Sequence, residues 1–455
     1  MEQNLLFGLK EKMKITITIL AVFGLIIAGY AINSRFVLLA WLLLIFKIVF
    51  SRSAEDTLIP YIMVVTWGAE IWGVAGSRSY TILKLLSIIL FLVRAARSKK
   101  LKYHQIVIKK NFFVFFFLFI SYVFLGIFNY NMRDLDIGLN LALCYLVIYY
   151  AGTIANCSFL KKSSLGLAYG VVLSAAMFYI APYIPRLQYV VNQMIQTTNI
   201  YGFNALTRLS AMAYDPNQYG LYVIIAMTAL LRCLFLEGFK DCLMIALCLI
   251  LAILGVLTLS KSYLIIFAFL FIVFSYRLLV ATNIRSTYKI LIILLLIIAG
   301  VVAIGALSVY INAFTERFNV SSANDLTTGR STIWLRYIEI IFGDLKILLM
   351  GSSVSYSLPN YSSPHNFILY MIFHFGIVGS MIYIGMIFGI FDAIKVVQNE
   401  NKHVSSAFKL MPFVIYMLYS MTIDPFLLYD AKIALLVPVF IAAKDLLNDE
   451  RGKNI

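Results

Sequence analysis

The sequence predicts an all-α, polytopic transmembrane helical bundle with about 14 spans, and three observations lead there. The first is composition: 62% of the 455 residues are hydrophobic and 13% are charged. The mean hydropathy of +0.91 lies well outside the range of soluble domains. The second is that the apolar residues form continuous runs rather than short alternating strands. Lipid excludes unsatisfied backbone, so such runs must be helices and not the strands of a barrel. The third is the placement of charge, because the basic residues gather between alternate runs.

Taken in order, the first run, Ile15 to Ile32, follows Lys10, Lys12 and Lys14. It resembles a signal peptide, but no small-residue cleavage site follows, so it reads as a retained span. Phe36 to Phe50 returns to a turn at Arg52. Thr57 to Val74 carries Glu70 near its outer end. Tyr80 to Val93 is short, with Lys84 and Arg94 able to snorkel at its edges. The stretch RAARSKKLKYHQIVIKK then has seven basic residues and no acid. It marks the cytoplasmic side and fixes the orientation.

Asn111 to Phe128 and Ile137 to Ala155 are joined by the exported turn NYNMRDLD. Leu165 to Ala181 leads to an exported loop at about 182–213. Tyr214 to Leu236, Cys242 to Leu259 and Tyr263 to Arg277 follow. Leu291 to Ile311 delivers the chain to a large exported loop, 312–365, before the twelfth span, Asn366 to Phe391. Met411 to Phe426 and Ala431 to Leu447 complete an even count, which places both termini in the cytoplasm. No fixed-period repeat divides the chain, so 1–455 reads as a single integral membrane domain.

The net charge of +16, from 37 basic and 21 acidic residues, is accounted for by the positive-inside bias. No nucleic acid is expected as a partner; the lipid bilayer is. The five cysteines lie in or beside apolar runs without metal-ligand spacing, and the exported loops contain none to form a disulfide. There is no HExxH, no exported carboxylate cluster and no Gly-rich phosphate loop. Neither a metal nor a cofactor is expected.

Two exported loops carry the polar chemistry. One contains TRLSAMAYDPNQYG, with Arg208, Asp215 and Asn217 just before a span. Its plain reading is an interfacial arginine anchor followed by a helix start at Asp-Pro. The other contains Arg317, Arg330, Arg336 and His365, and its plain reading is a solvated loop. Exported arginines run against the positive-inside bias and so call for a reason. Guanidinium supplies a permanent charge and a rigid fork of donors matched to phosphate oxygens. Histidine titrates near neutrality, which makes His365 a candidate proton acceptor. His374, inside the next span, reads as a packing residue.

The pairing of TTGRSTIW with PHNFILYMIFHFGIVG resembles the C-terminal signature of the O-antigen polymerase (Wzy) and O-antigen ligase superfamily. RLSAMAYDPNQYG is similar to that family's Arg-x-x-Gly and Pro-Asn element, and LTLSKSYL to its Ser-Arg segment. The elements occur in the family's order from Arg208 to Gly379. Ala211 stands where the family often has Gly, and Lys261 where it often has Arg. The resemblance implies a polysaccharide repeat-unit polymerase on the outer face of the bacterial cytoplasmic (inner) membrane. The donor would be an undecaprenyl-pyrophosphate-linked oligosaccharide, consumed in a metal-independent, inverting glycosyl transfer.

In that reading Arg208 and Arg330 bind the pyrophosphate with Lys261 assisting, and His365 is the general base. Asp215, Asn217, Asn366 and Arg336 complete the substrate site. A flippase and a chain-length regulator are partners by family analogy alone. Two alternatives stay open, an O-antigen ligase of the same superfamily and a polysaccharide flippase or other transporter. A transporter would be expected to show repeated halves and functional polar groups at mid-membrane.

Overall fold

The computed structural model describes residues 2–51, 53–76, 78–97, 111–127, 132–194, 208–213, 215–237, 239–281, 284–287, 289–290, 292, 294, 330–352, 364–394, 409–423 and 432–444. Most of the described residues are helical, and none of them forms a strand. In order come α1 (Glu2–Ala31), α2 (Arg35–Val49), α3 (Ala54–Val64), α4 (Ser79–Arg97), α5 (Asn111–Ile127), α6 (Met132–Ile154), α7 (Cys157–Ile180), α8 (Pro185–Met194) and α9 (Pro216–Glu237). There follow α10 (Cys242–Leu257), α11 (Lys261–Val280), α12 (Arg330–Gly343), α13 (Leu345–Met350), α14 (Phe367–Ile394), α15 (Met411–Ser420) and α16 (Lys432–Ala442). Among the described residues, six helices (α1, α4, α7, α9, α11 and α14) are long and apolar enough to cross a membrane. The chain is therefore a helical membrane protein. The count of about 14 spans goes beyond what these helices establish; most of the eleventh run (295–311) and the parts 312–329 and 353–363 of the large loop lie outside the described residues.

α7 and α9 form the middle of the bundle, and α9 is buried along nearly its whole length. A helix apolar on every side can be covered by protein all round. The helix starts are written in the sequence as caps. Ser53, Asn156, Asp241, Ser260 and Asp344 each accept a hydrogen bond from a main-chain N–H of the following turn.

Polar contacts join helix ends in two separate groups. In the first, Lys162 meets Asp56 at 2.8 Å and Glu11 at 3.1 Å, Lys12 pairs with Asp241, and Lys161 pairs with Glu237. Lys444 Nζ donates to the Thr153 and Ala155 carbonyls at 3.1 and 2.7 Å. Every partner in this lysine end was assigned to one side by the alternating threading read from the sequence. The second group contains Arg208, and it is described below.

Three expectations need correction. The third run is not one helix: α3 stops at Val64, and two 3₁₀ turns follow, split by Gly68 at φ +75°. The exported loop read at 182–213 contains α8, and its described 208–213 segment is buried. The described part of 312–365 is mostly helical, as α12 and α13, which pack on α14 through Tyr337, Ile341 and Phe373.

The α13–α14 crossing depends on two glycines. A Cβ on Gly351 would lie 2.6 Å from the Gly376 nitrogen, and one on Gly376 would lie 2.6 Å from the Gly351 nitrogen. Gly376 breaks α14 with φ +63° and ψ −177°. The Tyr122 hydroxyl lies 2.5 Å from the Met350 carbonyl and 2.7 Å from that of Phe375, and Ser352 N–H donates to the Phe373 carbonyl at 2.7 Å. These bonds serve backbone groups that a non-helical crossing would otherwise strand in an apolar setting.

Candidate active site

The site is assembled from helix starts. α9 opens on Asp215-Pro216: the Asp215 carboxylate accepts from the Asn217 and Gln218 amides at 2.5 and 3.3 Å, and Pro216 takes the first helical position. Asn217 then joins three other segments. Its Oδ1 accepts from Ser260 Oγ at 2.8 Å and from Arg208 Nη2 at 3.3 Å, while its carbonyl accepts from the Tyr419 hydroxyl at 2.9 Å. Arg208 Nε also donates to the Thr258 carbonyl at 3.0 Å, and Leu209 N–H to that of Leu257 at 3.0 Å. Arg208 is thus fixed, with 8% of its surface exposed. Lys261 is the first residue of α11, immediately after the Ser260 cap, and is half-buried.

The second half comes from α12 and the start of α14. Arg330 opens α12. One turn on, Trp334 Nε1 donates to the Pro364 carbonyl at 2.7 Å and so ties α12 to the residue before His365. Asn366 Oδ1 accepts from the Ile368 and Leu369 amides at 3.0 and 3.2 Å, capping α14.

His365, between these anchors, interacts electrostatically with both Arg330 and Asp215. Burial and then the Arg330 charge hold its imidazole below the ordinary value of 6.5, and Asp215 opposes them. Tyr419 lies within the electrostatic reach of Asp215, Arg208 and Arg330. Five segments, 208–217, 257–261, 330–334, 364–366 and the one that carries Tyr419, therefore meet at one end of the bundle.

The backbone is unusual here. Among the described residues four non-glycines have positive φ, and three belong to these segments: Ala211 (+48°), Leu259 (+50°) and His365 (+48°). Left-handed backbone is unfavourable for residues with a Cβ and is retained where the surroundings enforce it.

No family model, curated protein or solved structure matches the chain. The site stands on its own geometry.

Of the residues singled out from the sequence, Arg208, Arg330, His365, Asp215 and Asn217 come together. Lys261 adjoins them through Ser260. The side chains of Asn366 and Asp215 serve as helix caps, as the plain reading of a helix start at Asp-Pro implied for the latter. Arg336 is not brought in: it is exposed on α12 and pairs with Glu339 at 3.0 Å. His374 is buried against Tyr370 and Phe373, a packing role.

Sequence reasoning missed Tyr419, Ser260 and the positioning part played by Trp334. Ser260 had a signal as a helix cap before a run. Tyr419 had none, being one tyrosine among 29. Among the described residues no group of three or more His, Cys, Asp or Glu is placed to hold a metal.

Proposed function

We propose that the chain is a polysaccharide repeat-unit polymerase, transferring an oligosaccharide from a polyprenyl pyrophosphate to the sugar hydroxyl of a second lipid-linked chain. The observation that carries this reading is the convergence of Arg208, Arg330, Asp215 and His365 on one end of a membrane-embedded bundle. Two buried or half-buried guanidiniums beside a neutral-leaning imidazole suit a reaction that expels a pyrophosphate and deprotonates an alcohol.

In this mechanism Arg208 and Arg330 bind the pyrophosphate, and Lys261 lies near enough to the site to assist. The acceptor oxygen attacks the anomeric carbon in line as its proton passes to His365. The C1–O bond breaks with its electron pair leaving on the pyrophosphate, whose growing charge the arginines stabilise. The anomeric carbon inverts, and His365 returns its proton to water. The lysine end is assigned to the cytoplasm by the positive-inside bias, which puts this site on the exported face.

The test is the lipid-linked glycan profile of cells lacking the protein, complemented with wild type or Arg330→Ala. Single repeat units in place of a ladder support the polymerase. Long chains retained on the carrier would make the protein a ligase. Repeat units confined to the cytoplasmic face would replace the enzyme reading with a transporter.

A further inference from the structure

The α12–α13 segment shows three faces. One packs on α14 through Tyr337 and Ile341, with Ile333, Ile340, Ile347 and Leu348 beside them. A second is charged and exposed, with Arg336, Glu339, Asp344 and Lys346. The third is apolar and equally exposed: Leu335 (62%), Ile338 (39%) and Phe342 (72%) on α12, and Leu345 (68%) and Leu349 (42%) on α13. A helix in water would not leave such a stripe uncovered, and one within hydrocarbon would not carry four exposed charges. The division fits an apolar–aqueous boundary.

Neighbouring helices give the depth. α5 is described over 17 apolar residues, about 25 Å at 1.5 Å per residue, which covers most of a bilayer core. It runs against α14 from Gly389, beside Phe112, to Phe375, beside Tyr122. Tyr122 also reaches the Met350 carbonyl. Because Tyr122 lies five residues before Ile127, the lower end of α13 is about 8 Å below the last described residue of α5. The upper end of α12 is held at Pro364, 12 residues above Gly376 along the chain, and so lies beyond the end of α5.

We infer that α12–α13 lies obliquely in the bilayer rim, with Leu335, Ile338, Phe342, Leu345 and Leu349 in the outer acyl layer and the charged face in water. The partner is the lipid bilayer itself. The consequence is that Arg330, at the upper end of α12, sits at headgroup level. There it would meet the phosphates of an amphiphile that stays dissolved in the membrane. This inference does not depend on which reaction the site performs.

The experiment uses the full-length protein in liposomes, with nitroxide labels on Leu335→Cys, Phe342→Cys and Leu345→Cys, and on Arg336→Cys, Glu339→Cys and Lys346→Cys, in a background without the native cysteines. The ratio of oxygen to nickel-chelate collisions should be several-fold higher for the first three than for the second three. Equal ratios would overturn the inference. So would labels shielded from both reagents and broadened by each other, the signature of a second copy on this face. Phe342→Trp in the otherwise native chain gives an independent reading. Brominated phospholipid should quench the added fluorescence, and an unquenched signal would also overturn the inference.

Discussion

At the lysine end of the bundle, three lysines meet carboxylates directly. Lys162 bridges Asp56 and Glu11, Lys12 pairs with Asp241, and Lys161 with Glu237. At the arginine end, Arg208 is held by the Thr258 carbonyl and the Asn217 amide oxygen, both neutral. The carboxylate of Asp215 has its Oδ1 engaged by two helix amides. The lysine end neutralises its charge internally, which suits a structural clamp. At the arginine end, main-chain and amide dipoles fix the direction in which Arg208 is held, which suits a positioned site. Left-handed non-glycine backbone is also concentrated there, consistent with geometry held for a purpose other than stability.

The largest expected effect separates the two ends. Arg330→Ala should lower glycan polymerisation by about 100- to 1000-fold, as loss of a donor to developing charge does elsewhere. Its thermal stability in detergent should stay near wild type. Lys162→Ala should do the reverse, costing roughly 1–3 kcal/mol of stability, between the surface and buried limits for ion pairs. Activity per folded molecule should be retained. If Lys162→Ala abolished activity in well-folded protein, the contrast between a clamp and a site would be lost.

A second test reads the charge around His365. A general base works in its neutral form, so activity should rise with pH through the imidazole's lowered pKa, below 6.5, and level off above it. Asp215 opposes the lowering, so Asp215→Asn should move this rising limb to still lower pH. Asparagine also caps helices, so α9 should keep its start. A limb that did not move, or moved upward, would remove Asp215 from the neighbourhood of the base.

The bundle was legible because hydropathy and charge respond to the membrane over whole runs. Arg208, Arg330 and His365 stand out in the sequence because arginines on the side away from the basic loops need a reason and because a histidine opens the next apolar run. What escaped was decided by tertiary contact. Gly68 interrupts a run that hydropathy alone extends to Val74. The segment at 330–350 reads as a loop on its charge content, although apolar residues recur through it at Leu335, Ile338, Phe342, Leu345 and Leu349. Arg336 was grouped with the site because it lies near Arg330 in sequence. Six helical residues turn it to another face, where Glu339 takes it.

A smaller effect concerns how the two halves are joined. Trp334→Phe keeps the ring but removes the bond to the Pro364 carbonyl. A hydrogen bond of this kind contributes about 1 kcal/mol, so kcat should fall by about five- to tenfold if His365 is placed through it. KM for the lipid-linked donor should change little, since both arginines remain. A purely structural tryptophan would instead lower stability and leave kcat per folded molecule unchanged. Trp334→Leu should reproduce the kcat loss and add a packing cost.

The smallest expected effect is the most direct probe of strain. Ala211 has φ +48°, where a Cβ is costly and glycine is not. Ala211→Gly should therefore be neutral or stabilising by up to about 1 kcal/mol, because the relieved strain is partly offset by the extra freedom of the unfolded chain. Ala213→Gly, two residues on and without positive φ, should show only the loss, and the pair forms an internal control in one thermal-unfolding experiment. Activity decides what the strain does. If Ala211→Gly is as active as wild type, the left-handed turn is only the path the backbone takes from Arg208 to Asp215. If it is more stable yet less active, the stiffness of that turn helps hold Arg208 against the Thr258 carbonyl, and the arginine end spends stability on position where the lysine end does not.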